Sequence, residues 1–184
     1  MARSFLYFAY GSNLHPARLA ARTPSCHALG RAVLARHVLR FHKRGRDGSA
    51  KCDAWFTGDP TDRLYGVVYR IARAERQHLE QAEDLGRGYD CGRVRVVMGQ
   101  RTLTLLTFRA RPQALAPDLC PFDWYLAYVV SGARQHSLPA GYVARLERTP
   151  SLRDPDPKRA ALNWGLLRAS AAPTPPPSPP RPPG

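Results

Sequence analysis

The chain has 184 residues, which is enough for one domain with a sizeable core and short for two. Apolar residues make up 43% of it, so a globular fold is expected, and no run of about 18 apolar residues is present to span a membrane. The formal net charge of +14 attracts anionic partners such as nucleic acid, acidic lipid or carboxylate-bearing metabolites. Because the positive residues are mostly Arg and are scattered along the chain, the charge by itself selects none of these partners.

The cysteines and the first residues indicate a cytoplasmic protein with free thiols. The amino-terminal apolar stretch is interrupted at Gly11, Ser12 and Asn13, which favours a first strand over a secretion signal. The cysteines form no Cys-x-x-Cys pair and the histidines lack the spacing of zinc ligands, so no metal site is predicted. We therefore expect four reduced cysteines. They are Cys26, Cys52, Cys91 and Cys120.

The first half of the chain is predicted to consist mainly of strands. Aromatic and apolar residues from Phe5 to Tyr10 form a buried strand, and a tight turn and a short helix beginning near Pro16 follow it. Three further strands are predicted, and the last is apolar on both faces, as a central strand is. They are one long, curved strand over residues 30–44, one over residues 52–58 and one from Leu64 to Ile71.

The second half of the chain contains most of the predicted helices. Residues 73–85 have apolar positions at helical spacing with charges between them, which predicts an amphipathic helix ended by the glycines that follow. A β-hairpin turning at Gly99 comes next. Three helices then begin near Asp123, behind Pro139 and near residue 156. This order of elements predicts an α+β fold with a mixed or antiparallel sheet that can close into a small barrel.

The carboxyl-terminal segment has a different composition from the rest. From Ser170 to Gly184 it is too rich in proline to form a helix or a sheet. We therefore predict one domain over residues 1–169 and a disordered, polyproline-like tail over residues 170–184. The tail could dock on a proline-recognising domain, but an inert tail is the favoured interpretation.

The turn from Tyr10 to Leu14 is the first candidate for a functional site. It joins an apolar strand to a helix, so its backbone N–H groups can point in one direction and bind a carboxylate or a phosphate. Gly11 would let such a ligand approach the backbone closely. The alternative is an ordinary connecting turn, since the spacing matches neither a Walker loop nor a dinucleotide-binding fingerprint.

Glu83 is the second candidate, near the end of the predicted amphipathic helix. It follows apolar residues, so it can lie at the border of the buried face. A half-buried carboxylate has a raised pKa and suits proton transfer near neutral pH. The alternative is a solvated acidic face, because Glu75, Glu80 and Asp84 lie in the same short stretch.

Four segments together resemble the γ-glutamylcyclotransferase family. They are similar to its signature strand and loop, its central strand, its helix with the catalytic glutamate, and a later helix with a Gly-Ala and a Leu-Pro pair. The resemblance extends over roughly residues 4 to 147. The segments are "YFAYGSNL" at 7–14, "LYGVVYRI" at 64–71, "HLEQAEDLGRGYD" at 78–90 and "PFDWYLAYVVSGARQHSLPAGY" at 121–142.

The resemblance implies an α+β fold with a small mixed β-barrel and flanking helices, and an enzyme that needs no cofactor. The implied reaction cyclises a γ-glutamyl amino acid or amine to 5-oxoproline and releases the amine. Glu83 would move the proton in this reaction. Tyr89 and Tyr125 would line the pocket, and Phe108 replaces a tyrosine that other members often have. The residues implied to bind the substrate α-carboxylate through backbone N–H groups are Tyr10, Gly11, Ser12, Asn13 and Leu14.

Two alternative functions remain open at this point. One is a cyclotransferase specific for γ-glutamylamines such as the γ-glutamyl-lysine isopeptide. The other is a non-catalytic basic module that binds anionic ligands or nucleic acid on the same fold. A small γ-glutamyl substrate is the expected partner, with no nucleic acid and no membrane. The basic segment from Arg40 to Arg46 could contact phosphates, form a solvated strand end, or attract an anionic γ-glutamyl peptide at the mouth of the pocket.

Overall fold

The computed structural model describes residues 4–171, and within that range the chain forms seven strands and five α-helices. The strands are β1 (Ser4–Ala9), β2 (His27–Ala35), β3 (His37–Arg44), β4 (Ala50–Phe56), β5 (Arg63–Ala72), β6 (Tyr89–Met98) and β7 (Arg101–Ala110). The α-helices are α1 (Pro16–Ala20), α2 (Arg76–Ala82), α3 (Asp123–Gln135), α4 (Ala140–Glu147) and α5 (Pro157–Ala171).

Five of the strands close into a barrel in the order β1-β5-β2-β6-β7. Neighbouring strands are antiparallel except for β1 and β7, which are parallel and meet where Tyr7 lies beside Leu106. The mixed barrel and the α+β class are therefore confirmed. β5 pairs with β1 on one side and β2 on the other, and Val67 and Val68, which point to opposite faces, are both fully buried. It is the central strand that its apolar sequence predicted.

The prediction of one long strand over residues 30–44 was wrong. β2 belongs to the barrel, whereas β3 pairs with β4 in a separate two-stranded sheet. Arg36 lies between them with a φ of 61°, a left-handed conformation that breaks the strand. Its N–H group donates to the Asp62 carbonyl and its own carbonyl accepts from Thr57. Both halves are extended, so the alternation of residues does not reveal the break.

The helix before Glu83 is shorter than predicted. A 3-10 turn over Arg73–Glu75 leads into α2, which ends at Ala82. Glu83 is the first residue beyond α2, and Asp84 follows with a φ of 54°. The chain turns away at this point because Asp84 adopts a left-handed conformation. Glu83 is consequently the cap at the end of α2 and not a residue of its amphipathic face.

Helix α3 supports the turn that follows β1. A Cβ atom at Gly132 in α3 would lie 2.5 Å from the His15 backbone nitrogen and 2.7 Å from the Leu14 Cβ. Only glycine therefore allows α3 to approach the turn this closely. Tyr69 of β5 also holds the turn, because its hydroxyl donates to the Leu14 carbonyl at 3.1 Å.

Helix α5 continues to Ala171, two residues beyond the domain boundary predicted after residue 169. The remainder of the predicted tail, residues 172–184, lies outside the described residues. None of the helices between residues 4 and 171 is long and apolar enough to cross a membrane.

Candidate active site

The turn after β1 is a short 3-10 helix over Ser12–Leu14. The Leu14 N–H group donates to the Gly11 carbonyl at 2.9 Å, and His15 donates to the Ser12 carbonyl at 3.2 Å. The N–H groups of Ser12 and Asn13 begin this helix, so they have no acceptor within it. The turn therefore presents backbone donors of the kind that bind a carboxylate.

Gly11 allows the turn to pack against β4. A Cβ atom at this position would lie 2.9 Å from the Cβ and 3.4 Å from the Sγ of Cys52, and 3.5 Å from the Tyr125 hydroxyl. The φ of Gly11 is −105°, which any residue can adopt. The requirement for glycine therefore comes from the proximity of Cys52 and not from the backbone conformation.

Two donors fix one oxygen of the Glu83 carboxylate. Asn13 Nδ2 and Arg22 Nη1 each lie 2.8 Å from Glu83 Oε1. Arg22 also donates to Asn13 Oδ1 at 2.8 Å, so the three side chains form a closed set of hydrogen bonds. The Glu83 side chain is 14% exposed, and its Oε2 accepts no hydrogen bond from residues 4–171. One oxygen is thus held while the other is available to a ligand.

Tyr7 extends this set of hydrogen bonds into the barrel. Its hydroxyl accepts from Asn13 Nδ2 at 3.0 Å. Burial, followed by the charge of Glu83, raises the pKa of Tyr7 well above its ordinary value. The phenol consequently remains protonated, and its own proton is available for donation.

Two adjoining cavities share Ser12 and Glu83. The inner cavity measures about 20 Å³, roughly the space of one water molecule, and Phe108 is among its lining residues. The outer cavity measures about 190 Å³. Larger clefts of about 350 to 570 Å³ lie elsewhere, but neither the turn nor Glu83 lines them. The two small cavities are therefore where most of the candidate residues meet.

The wall of the outer cavity is rich in positive charge. Lys51 forms a salt bridge with Asp47 at 2.7 Å. Arg18 donates to Ser12 Oγ at 3.1 Å, with its guanidinium carbon 4.5 Å from the centroid of the Tyr128 ring. The other lining cations are Arg22, Lys43 and Arg46. The last two come from the basic segment of the sequence, so that segment contributes cations to the lining of the outer cavity.

The predicted pocket residues Tyr125 and Tyr89 both contact the backbone of Cys52 in β4. The Cys52 N–H group donates to the Tyr125 hydroxyl at 3.1 Å, and the Tyr89 hydroxyl donates to the Cys52 carbonyl at 2.6 Å. Tyr125 lines the outer cavity, whereas Tyr89 lines neither cavity. Tyr89 thus occupies a position from which it supports the wall of the site.

The remaining predicted positions in the turn differ in their access to ligand. Tyr10 lines the inner cavity, and its hydroxyl donates to the Phe108 carbonyl. Gly11, Ser12 and Asn13 line the same cavity. Leu14 is fully buried and lines neither cavity, so its place is in the core beneath the turn.

Cys52 lines the inner cavity, but its thiol is poorly suited to nucleophilic attack. Burial raises the pKa of Cys52 to about 12, so the thiol is protonated at neutral pH. Among residues 4–171 no three His, Cys, Asp or Glu side chains are grouped closely enough to hold a metal ion. The chemistry that this arrangement offers is proton transfer by Glu83 beside a set of N–H donors.

Arg22 and Tyr7 are two of the site residues that the sequence did not single out. Arg22 follows α1 by two residues and lies 61 positions from Glu83, so no local spacing connects them. Tyr7 lies beside Phe8 in an apolar strand and both are buried, so Tyr7 has the sequence context of a core residue. Their contribution depends on how β1 and α1 pack against the end of α2.

Several known proteins resemble this chain in sequence. A model of the AIG2-like family matches residues 63–146. The γ-glutamylcyclotransferase of Homo sapiens is 29% identical over 152 residues, covering 78% of this chain and 78% of that protein. The γ-glutamylcyclotransferase of Bos taurus is 28% identical over 149 residues, covering 78% and 77%.

Solved structures share the same architecture. A structure named γ-glutamyl cyclotransferase superposes with a TM-score of 0.80 at 23% identity, covering 91% of this chain and 99% of that one. An uncharacterised protein from Homo sapiens gives a TM-score of 0.79 at 24% identity, covering 90% and 98%. At these identities the structures show a common fold. The sequence matches add that the chain is similar to γ-glutamylcyclotransferases and, over residues 63–146, to the AIG2-like family.

Proposed function

We propose that this protein is a γ-glutamylcyclotransferase, which converts a γ-glutamyl compound to 5-oxoproline and releases an amine. The observation that carries the proposal is the position of Glu83. Its carboxylate lies in a cavity beside the turn after β1, with one oxygen fixed by Asn13 and Arg22. The match to curated γ-glutamylcyclotransferases over more than three quarters of both chains supports the same reaction.

The turn after β1 would hold the glutamyl end of the substrate. The N–H groups of Ser12 and Asn13 would donate to its α-carboxylate, and the positive charge of Arg18 beside Ser12 Oγ would favour the same anion. Holding this end places the α-amine within reach of the γ-carbonyl of the same molecule.

Ring closure requires protons to move from the α-amine of the substrate to the amine that leaves. The α-amine is largely protonated at neutral pH, and Glu83 Oε2 would accept one of its protons. The amine nitrogen then attacks the γ-carbonyl carbon, and a C–N bond forms in a five-membered lactam. As the original amide C–N bond breaks, Glu83 would pass that proton to the leaving nitrogen, and the second proton that the ring nitrogen gives up would reach the released amine through the same carboxylate. The products are 5-oxoproline and the protonated amine, and Glu83 ends in its starting form.

This reaction needs no nucleophile from the protein, since the substrate supplies its own amine. The protonated thiol of Cys52 is consistent with a site that works without a covalent intermediate. The Tyr7 hydroxyl at the inner cavity is a candidate donor to the oxyanion that develops on the γ-carbonyl.

The first prediction concerns Glu83→Gln. The amide keeps the size of the side chain but cannot accept a proton, so 5-oxoproline release should fall by at least about a hundredfold. The measurement is 5-oxoproline release from γ-glutamyl amino acids, glutathione and γ-glutamyl-lysine, with circular dichroism to check the fold.

Glu80→Gln is the matched control for this experiment. It makes the same chemical change three residues earlier, where Glu80 pairs with Arg76 at 2.7 Å on the surface of α2, and it should retain the native rate. Retention of the native rate by Glu83→Gln would remove Glu83 from the mechanism. No release from any substrate by the folded native protein would favour the non-catalytic binding module.

A further inference from the structure

Arg18 is a cation of the outer cavity that neutral groups hold in place. Its Nε donates to Ser12 Oγ at 3.1 Å, and its Nη1 donates to Asn163 Oδ1 at 3.2 Å. The guanidinium carbon lies 4.5 Å from the centroid of the Tyr128 ring and 5.7 Å from that of Trp124, which are two cation–π contacts. In the part of the chain that the structure describes, no Asp or Glu forms a salt bridge with Arg18. Its charge is therefore fixed at the cavity without being neutralised.

Asn163 reaches Arg18 from α5, which follows the rest of the described fold. It is 8% exposed, and both ends of its amide are in use. Nδ2 donates to the Arg159 carbonyl at 2.9 Å. Because a carbonyl can only accept, Oδ1 is the end of the amide that faces Arg18. The backbone carbonyl of Asn163 also accepts from the Tyr128 hydroxyl at 3.1 Å, which joins this turn of α5 to α3. The position and the orientation of the amide are thus fixed.

An asparagine suits this position because its side-chain oxygen accepts a hydrogen bond without carrying a charge. An aspartate of nearly the same size would bind the guanidinium more strongly, but it would also weaken the attraction of that cation for another anion. Two of the acidic residues of the outer cavity pair with other cations, Asp47 with Lys51 and Glu83 with Arg22. A neutral acceptor therefore leaves the charge of Arg18 available to a ligand.

From this geometry we infer that Asn163 is a positioning residue for substrate binding, which holds Arg18 against the turn after β1, and this inference rests on the proposed function. The Nε end of Arg18 lies at Ser12, whose N–H group would donate to the substrate α-carboxylate. With Nη1 fixed by Asn163, the guanidinium presents its charge to the same carboxylate. Helix α5 is thereby part of the substrate site, although Asn163 itself lines neither cavity.

The second prediction is that Asn163→Asp and Asn163→Leu both weaken substrate binding, for different reasons. Asn163→Asp keeps an acceptor for Arg18 but neutralises it, so KM for γ-glutamyl-alanine should rise by about tenfold while the Tm stays at or above the native value. Asn163→Leu removes the acceptor and should raise KM by about threefold to tenfold. In both variants kcat should stay within about twofold of native, because the α-carboxylate is unchanged during the reaction. Steady-state release of 5-oxoproline and thermal unfolding measure these quantities.

A double-mutant cycle tests whether Asn163 acts through Arg18. Arg18→Met alone should raise KM by about tenfold to a hundredfold. Adding Asn163→Leu to this variant should change KM no further, because the group that Asn163 positions is already absent. A further rise in the double variant, by the factor seen for Asn163→Leu alone, would show that Asn163 acts independently and would overturn the inference.

Leu167→Ala is the matched control in α5, about one turn beyond Asn163. Leu167 is buried in the hydrophobic core, so its truncation should lower the Tm and leave KM unchanged. An equal rise of KM in Leu167→Ala, or a native KM in folded Asn163→Asp, would overturn the inference and leave the proposed function intact. Asn163→Asp decides the test if Asn163→Leu does not fold. No 5-oxoproline from the folded native protein would overturn the proposed function, and the inference with it.

Discussion

At the scale of single residues, the hydrogen bonds to Glu83 explain why one glutamate among several is the candidate base. Glu80 and Glu75 bind partners at the surface, namely Arg76 and Ser25. Glu83 instead meets Asn13 and Arg22 at the edge of two cavities. The difference arises because the chain leaves α2 at this residue, so the side chain projects toward the turn after β1.

The third prediction concerns Arg22, a positioning residue that acts through Glu83. Arg22→Met removes one of the two donors to Oε1, so the carboxylate can rotate away from the reacting atoms. We expect kcat to fall by about tenfold to a hundredfold, with a smaller change in KM. Steady-state kinetics with γ-glutamyl-alanine measures both parameters.

Two further variants make the test of Arg22 specific. Arg22→Lys keeps a cationic donor and should recover part of the lost kcat, which a purely structural role would not require. Arg168→Met removes an exposed arginine of α5 and should behave as the native protein. If Arg22→Met raised KM alone, Arg22 would bind substrate instead of orienting Glu83.

At the scale of elements, a buried aspartate joins α3 to α5. The Asp154 side chain is fully inaccessible to solvent, and it accepts from Trp124 Nε1 at 2.7 Å and from Arg159 Nη2 at 2.6 Å. Trp124 belongs to α3 and Arg159 to α5. Because α3 also supports the turn after β1, this contact helps fix the position of the candidate site.

The fourth prediction is that Asp154 stabilises the fold only above strongly acidic pH. Hydrogen bonding to Arg159, opposed by burial, lowers the pKa of Asp154 from 3.8 to about 2. Since the folded state binds its proton less tightly than the unfolded state, the contribution is complete above pH 3.8 and is lost as the pH falls towards 2. Asp154→Asn should therefore lower the Tm at neutral pH by several degrees.

Thermal unfolding at a series of pH values checks this prediction. The difference in Tm between the native protein and Asp154→Asn should narrow as the pH falls through that window. Asp118→Asn, which alters an exposed carboxylate, should show no such difference. A constant difference at every pH would mean that the charge of Asp154 contributes nothing to stability.

At the scale of the whole molecule, the net charge of +14 is reflected in the residues that line the outer cavity. Five cations line the outer cavity, against three acidic residues. They are Arg18, Arg22, Lys43, Arg46 and Lys51, against Asp47, Glu83 and Asp84. An anionic metabolite therefore meets a positive field as it approaches the site.

The fifth prediction follows from that field. For γ-glutamyl-alanine, kcat/KM should fall several-fold as KCl rises from about 10 mM to about 300 mM, because screening shortens the range of the attraction. The kcat at saturating substrate should change little. A kcat/KM that is independent of salt would show that the positive field does not assist substrate binding. Retention on a DNA column with a steep salt dependence would instead favour nucleic acid as the partner.

Much of the fold follows from local features of the sequence. The apolar run of β5, the hairpin at Gly99 and the helix beginning at Asp123 are each specified by neighbouring residues, and all three are confirmed. The break at Arg36 was missed because residues on both sides are extended and only their partners differ. The left-handed conformation at Arg36 is held by backbone hydrogen bonds to Asp62 and Thr57. These partners are distant in the sequence, so the propensities of neighbouring residues do not predict the break.

By itself, the sequence determined the class of the fold, and its resemblance to γ-glutamylcyclotransferases pointed to the candidate turn at Gly11 and the candidate base at Glu83, because each segment that carries the resemblance is continuous in the chain. The tertiary structure alone decided which side chains meet. Arg22 lies 61 positions from Glu83, and Asn163 lies 145 positions from Arg18. Pairings of this kind depend on how the elements pack, and a hydrogen bond or a buried charge acts over a few ångströms of space whatever the separation along the chain.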